Sequence, residues 1–305
     1  MNTAPKNNTP KGVSLAILAA FIWSGNFVVA KRVTAEIAPI SLNTYRWLLA
    51  SVVILPFAWK KLRPEWPVIK QSIPYLFWVA LSGIALFNTF VYVGAHYTTA
   101  INLALIGTTS SPVMAIILAR VLLKEPVSYQ KLVGMLLCIT GVLFLLSKGD
   151  FRNLRHFHFS EGDLWVLLAA FSFAVYNTLV KKRPTGISPM SFLFVVFAIG
   201  TTMMIPFFIW ENSNTPAVEW NTHLILSIAY LGIAASAFCF MIWNLSIGIL
   251  GAGRTALFGN LIPVFSSIEA ALFLREDFTK THIISMAIVF AGIIVANGKA
   301  RSSTA

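Results

Sequence analysis

The sequence predicts an all-α integral membrane protein of ten transmembrane helices, arranged as two inverted five-helix repeats. Three observations carry this. The 305 residues are 57% hydrophobic and 11% charged, with a mean hydropathy of +0.76, where a soluble domain is about one quarter charged. The apolar residues fall into ten runs, most close to the ~20 residues a helix needs to cross a bilayer. One pattern of prolines, glycines and charges also recurs at an offset of 150 to 152 residues, and a repeat of that length is one structural unit used twice.

The runs are taken in order as 12–30, 41–58, 72–94, 99–122, 128–147, 163–181, 189–210, 222–247, 253–274 and 280–298. Continuous apolar runs exclude a membrane barrel, whose strands alternate and are short. Lys6 and Lys11 precede the first run, which ends without a small-residue cleavage signal and is expected to be a retained span. The repeat is clearest in the fourth and ninth runs. There Ala104, Leu105, Gly107, Pro112-Val113 and Lys124-Glu125 find Ala256, Leu257, Gly259, Pro263-Val264 and Arg275-Glu276. It extends to Asn26 with Asn177, Pro39 with Pro189, Ser41 with Ser191, Pro56-Phe57 with Pro206-Phe207, Tyr92 with Trp243, and Gly141 with Gly292. This divides the chain into a first five-helix repeat at 1–147, a linker at 148–162 and a second repeat at 163–305.

Five spans is an odd number, so the second half enters the membrane from the opposite side. With the N-terminus cytoplasmic, 15 Lys and Arg fall on the inside and seven on the outside, leaving Arg46 within a span. Excess Lys and Arg mark cytoplasmic loops, so both termini are expected in the cytoplasm. The net charge of +12 is thus a topology signal rather than a nucleic-acid footprint. Cys138 and Cys239, each inside an apolar run, read as buried free thiols with no metal or redox spacing. No cofactor is expected. The partners expected are a small-molecule substrate and membrane lipid. Fused halves remove the need for a second copy, so a functional monomer is expected.

Inverted repeats are a common build for secondary transporters, with the substrate held between the halves. Polar and aromatic residues deep in the spans are then the candidates for contact. Trp23, Asn26, Tyr176 and Asn177 form one group; Tyr92, His96, Trp243 and Asn244 form another. Asn supplies two donors and an acceptor, and aromatic walls suit apolar side chains or an ammonium. Pro112 and Pro263, with Gly107 and Gly259, interrupt matched helices and are candidate hinges. Arg46 and Glu269 are charged residues placed deep within spans and candidates for charge coupling. Each has a structural alternative, as helix–helix glue, interfacial belt or static kink.

The first span, Phe21-Ile22-Trp23-Ser24-Gly25-Asn26-Phe27 through Lys31, resembles the W-G-x-N-F…K opening of the drug/metabolite transporter superfamily in its ten-span form with two EamA-type domains. Tyr45-Arg46-Trp47-Leu48-Leu49-Ala50 is similar to its second-span pattern, and the two P-V…E helices to its fourth and ninth spans. The second half departs from the pattern, with Tyr176-Asn177 in place of Trp-Gly-x-Asn. Among members, the chain most resembles bacterial amino-acid exporters of the YddG type. The resemblance implies an inner-membrane secondary carrier that exports small metabolites, amino acids including aromatic ones above all, and is not an enzyme. The competing readings are export of drugs, lipophilic cations or other metabolites, a lipid-handling protein, and a membrane-embedded enzyme. The last is disfavoured because no two span-embedded carboxylates lie near each other in the sequence.

Overall fold

The computed structural model describes residues 8–33, 36–97, 100–124, 127–156, 160–274 and 279–297. Among them there is no strand. Ten helical rods follow one another: α1 (Thr9–Val33), α2 (Pro39–Gln71), α3 (Ile73–Tyr97), α4 (Ala100–Leu123), α5 (Tyr129–Leu146), α6 (Glu161–Val180), α7 (Pro189–Asn214), α8 (Thr222–Leu250), α9 (252–274) and α10 (Lys280–Asn297). By length and composition α2, α3, α6, α7 and α8 are long and apolar enough to cross a membrane. Shorter apolar stretches occupy Val113–Leu123 in α4, Tyr129–Phe144 in α5 and Lys280–Ala296 in α10.

Local chemistry sets the helix starts. Pro39 and Pro189 open α2 and α7, where a missing N–H costs nothing and the fixed φ suits a helix. Ser160 and Asp163 form a reciprocal capping box at α6. Asn221 accepts from the Leu224 amide at 2.8 Å to start α8. Two elements outrun the sequence reading. α2 continues to Gln71, through Pro64 and Pro67, because it is exposed there and water can satisfy the freed carbonyls. Glu211, placed by the sequence in a loop, lies inside α7. Between α5 and α6 the described residues form a 3-10 turn, Phe151–His156, with Lys148 and Gly149 before it at φ 55° and 85° and an exposed Asp150–Arg152 pair at its start.

The inversion is visible in how equivalent helices meet. α2 packs along α7. At one end the Glu211 carboxylate of α7 accepts from the Ile40 and Ser41 amides at 3.1 and 2.6 Å and from Ser41 Oγ at 2.8 Å. At the other end Glu65 of α2 accepts from the Ser188 amide and hydroxyl at 3.1 Å each. Each helix, near its C-terminal end, therefore caps the other's N-terminus, and the two run antiparallel. α5 and α10 also pack antiparallel, in contact through small residues. A methyl placed on Gly134 would lie 2.4 Å from the Gly292 carbonyl, and one on Gly141 would lie 2.8 Å from Val289 Cγ2 and 3.1 Å from the Ser285 carbonyl. Close backbone approach of this kind holds membrane helices together.

The halves also interleave. α6 packs against α3 and α4, and α1 packs against α8 and α9, the same pairing with the repeats exchanged. Each crossing of a first helix with a third is locked by a glycine under a tyrosine. Gly25 of α1 lies under Tyr230 of α8, whereas Tyr176 of α6 lies over Gly83 of α3. One apolar core runs through both halves, around Trp47, Phe173, Phe197 and Phe240.

Candidate functional site

α3 and α8 each contain a π-helical stretch, Leu81–Leu86 and Tyr230–Phe238. The two occupy corresponding positions of the repeats, and such stretches depart from the regular i to i+4 ladder. Side chains from neighbouring helices bond their carbonyls. Asn43 Nδ2 donates to the Ile84 and Ala85 carbonyls at 3.3 and 3.4 Å. The Ala235 carbonyl accepts from Trp23 Nε1 at 2.7 Å and from an Arg46 terminal nitrogen at 3.3 Å.

Arg46 is the centre of this network. It is only 1% exposed, placed inward by α2. Its Nε donates to Ser236 Oγ. One terminal nitrogen donates to Asn26 Oδ1 at 2.9 Å, Asn88 Oδ1 at 3.0 Å and Tyr92 Oη at 2.7 Å, and the guanidinium carbon lies 5.3 Å from the Trp47 ring centre. All of these partners are neutral. Among the described residues, Arg46 has no carboxylate within ion-pair distance.

The guanidinium borders a cavity between the halves. Its polar wall is Asn26, Arg46, Asn88, Ser111 and Asn177; its aromatic wall is Trp23, Phe87, Phe173 and Trp243, with small residues Gly107, Ala169, Ala256 and Gly259 between. Trp23 and Trp243 lie 4.9 Å apart by ring centres, and Phe87 stacks on Phe173 at 4.5 Å. Small-molecule sites combine apolar walls with a few convergent polar groups in this way.

The orientations of two cavity amides are fixed by donor-only partners. Asn88 turns its oxygen to Arg46, and Asn177 turns its oxygen to Trp243 Nε1 at 2.7 Å. The NH2 ends of both are buried and without a partner in the described structure.

Of the residues singled out from the sequence, Trp23, Asn26, Asn177 and Trp243 line this cavity, together with Arg46, Gly107 and Gly259. Tyr92 does not line it; it is fully buried and bonded to Arg46. Tyr176 and Asn244 pair with each other at 2.8 Å and are not lining residues. His96 is exposed at the end of α3. Glu269 accepts from Ser24 Oγ at 2.5 Å, away from the lining. The proposed hinges are unequal. α4 is one α-helix through Gly107 and residue 112, whereas α9 is interrupted by a 3-10 turn at Phe258–Asn260 that contains Gly259 and precedes Pro263. The Pro112, Ala104 and Leu105 side chains, and Glu125, Arg275 and Glu276 entirely, lie outside the described residues.

Sequence reasoning missed Asn88, Ser111 and the rings of Phe87 and Phe173. Asn88 had a signal: it is an amide within an apolar run, one turn before Tyr92, the same criterion that selected Asn26.

Comparison with known proteins adds to this geometry. Residues 10–147 and 160–298 each match the EamA-like transporter family. An uncharacterized transporter of Archaeoglobus fulgidus is 29% identical over 287 residues, covering 93% of this chain and 96% of that protein. A probable amino-acid metabolite efflux pump of Escherichia coli is 27% identical, covering 92% and 93%. The uncharacterized transporter YyaM of Bacillus subtilis is 26% identical, covering 95% and 94%. A crystal structure shares the fold with a TM-score of 0.75 at 17% identity, covering 94% and 96% of the two chains.

Proposed function

The chain belongs to the EamA-like transporter family and is a multi-pass membrane transporter; from that premise we propose that it exports small metabolites, amino acids including aromatic ones above all, by alternating access through the central cavity. The observation that carries this reading is the cavity itself. It lies between the halves and joins an aromatic wall to a polar wall centred on a buried guanidinium. The lining suits a small molecule with an apolar body and a polar end. The similarity to a probable amino-acid metabolite efflux pump points to the same class.

In the proposed cycle the two halves rock about the antiparallel α2–α7 and α5–α10 contacts. Gly107 and Gly259 line the cavity, and the 3-10 turn of α9 gives that helix a point of flexure. The setting is a bacterial-type inner membrane. The excess of inside Lys and Arg supports cytoplasmic termini, and the interleaved halves support a functional monomer. Arg46 weighs against export of drugs or lipophilic cations, since a buried positive charge at the cavity disfavours a second one.

The test is uptake of labelled phenylalanine and threonine by liposomes carrying the purified protein, with and without a pH gradient. Saturable uptake that unlabelled amino acids compete away is expected. Failure of both to enter sinks the amino-acid assignment. A response to the gradient brings Glu269 and His96 forward for substitution.

A further inference from the structure

We infer that the cavity binds its ligand by a carboxylate and has no receptor for an ammonium, so that aryl-carboxylates lacking an amino group are recognised at least as well as the corresponding amino acids. This deepens the carrier reading above and rests on it for the location of the site.

Charge, donors and acceptors are unevenly distributed around the cavity. A guanidinium carries positive charge and five N–H donors and has no acceptor. Arg46 is almost fully buried, and its partners are Ser236, Asn26, Asn88, Tyr92 and the Ala235 carbonyl, none of them charged. A buried charge without a counter-ion is costly, and an anion entering the cavity supplies the counter-ion. The amide ends of Asn88 and Asn177 are the second observation. Both residues line the cavity and both are nearly inaccessible, at 2% and 1% exposure. Their oxygens are held by donor-only groups, so what remains free on each is a donor. An unpartnered buried donor is satisfied by an acceptor, and a carboxylate has about four acceptor sites.

The acceptor side is nearly empty. No described lining residue is acidic. The oxygens of Asn26, Asn88 and Asn177 each already accept from Arg46 or Trp243 and keep only a second lone pair beside that donor, and Ser111 supplies the hydroxyl of the wall. An ammonium, with three donors, would find that hydroxyl and the faces of the rings, in a cavity that already holds a cation. Glu269 bonds Ser24 and is not part of the lining.

The site is also one-sided. At the offset of 150 set by Pro39 and Pro189, Arg46 corresponds to Val196. At the offset of 151 set by Tyr92 and Trp243, Asn88 corresponds to Cys239. The charge of the anion-binding pole therefore comes from the first repeat, with Asn177 adding a donor from the second, and the rings of Trp23, Phe87, Phe173 and Trp243 receive the apolar body.

Three ligands that share a phenyl ring on a two-carbon tether separate the terms: 3-phenylpropionate, phenylalanine and phenethylamine. Binding to the purified chain in detergent is read by tryptophan fluorescence, since Trp23 and Trp243 line the cavity, and transport by counterflow in liposomes. We expect 3-phenylpropionate to bind at least as tightly as phenylalanine, and phenethylamine to bind about tenfold more weakly or worse, as for loss of one charge-assisted hydrogen bond. Phenethylamine binding as well as 3-phenylpropionate, or phenylalanine binding about tenfold better than 3-phenylpropionate, overturns the inference. So does binding of none of the three by a chain that transports phenylalanine, an outcome that leaves the carrier reading intact. Binding in the expected order by a chain that transports none of them sinks the carrier reading alone.

Arg46→Gln disturbs four side-chain partners and risks the fold, so the variant of choice is Asn88→Asp. It puts a carboxylate at the position that now accepts from Arg46 at 3.0 Å and deletes a free donor. A folded Asn88→Asp chain is expected to lose 3-phenylpropionate binding about tenfold or more while binding of phenethylamine improves; unchanged ligand preference overturns the inference. Should that variant not fold, the ranking of the three ligands on the native chain decides.

Discussion

Substituting Glu211 by Ala tests the reciprocal capping of α2 and α7. The carboxylate is 6% exposed and accepts from two backbone amides and one hydroxyl of Ile40 and Ser41. Hydrogen bonds to a charged group contribute about 1.5–3 kcal/mol each, and removal of an ordinary N-cap costs about 1 kcal/mol. Relief from burying a carboxylate offsets part of the loss, and water reaching the half-buried end of the helix meets part of the freed N–H demand. The expected net cost is about 3 kcal/mol. Glu211→Gln keeps one acceptor without the charge and should cost about half as much. Glu65→Ala removes two bonds from a half-buried position and should cost about 1 kcal/mol. The two sites lie some 25 helical residues apart on α2, about 38 Å, so the double variant should show the sum of the single effects. Cys138 and Cys239 are buried, free and the two cysteines of the chain. A thiol-reactive fluorophore added during a thermal ramp in detergent therefore reports unfolding. A Glu211→Ala chain that melts within ~0.5 kcal/mol of the parent would refute the capping argument.

Three further outcomes follow from the packing and the loops. Gly83→Ala places a methyl 2.1 Å from Tyr176 Cδ2, on a ring held by Asn244; a loss of about 1–3 kcal/mol is expected, and pairing it with Tyr176→Ala in a double-mutant cycle should give a favourable coupling. Gly134→Ala meets backbone atoms of Gly292 and Ala296, so α5 and α10 must separate; cross-linking of cysteines placed along this crossing should fall. Glu36, in the turn between α1 and α2, accepts from the Asn221 amide at 2.9 Å and contacts His223 Nδ1 at 3.1 Å. The Asn221 bond first and His223 second hold its carboxyl below the usual glutamate range. A depressed folded value stabilises above the ordinary range and is lost as pH falls through it. Wild-type protein should therefore lose more melting temperature than Glu36→Gln between pH ~5 and pH ~3; equal losses would exclude this role.

The long-range order of the molecule was legible because it is written in residues with strong backbone effects. Pro39 with Pro189 and Gly141 with Gly292 recur at offsets of 150 and 151, and the structure uses them at a helix start and at a close helix crossing. The π stretches were not legible, since Leu81–Leu86 and Tyr230–Phe238 are ordinary apolar residues and no side-chain periodicity distinguishes an i to i+5 ladder inside a buried run. The site was half legible. Asn26, Asn177, Trp23 and Trp243 stand out as polar or aromatic groups in spans, and all four line the cavity. Tyr92 and Tyr176 satisfy the same criterion yet are fully buried outside the lining, because depth in a span does not say which side of a helix faces empty space. Arg46 was read as a candidate for charge coupling, but its net of neutral partners depends on the register of α8 against α2, which only the fold supplies. Glu211 was misplaced for a similar reason: its partners at Ile40 and Ser41 are 170 residues away or more.

The interleaving of the halves bears on how the protein is made. α1 packs on α8 and α9, whose codons lie far downstream. At a synthesis rate of about 5–20 residues per second, α1 precedes α8 by roughly 10–40 seconds. Through that interval Arg46 is in the lipid without Ser236 or the Ala235 carbonyl, and the groove of α1 at Gly25 is without Tyr230. The nascent first half is thus an unfinished client of the insertion machinery. Slowing the ribosome over the linker should lengthen its exposure to membrane quality-control proteases, leaving the finished carrier unchanged but less abundant.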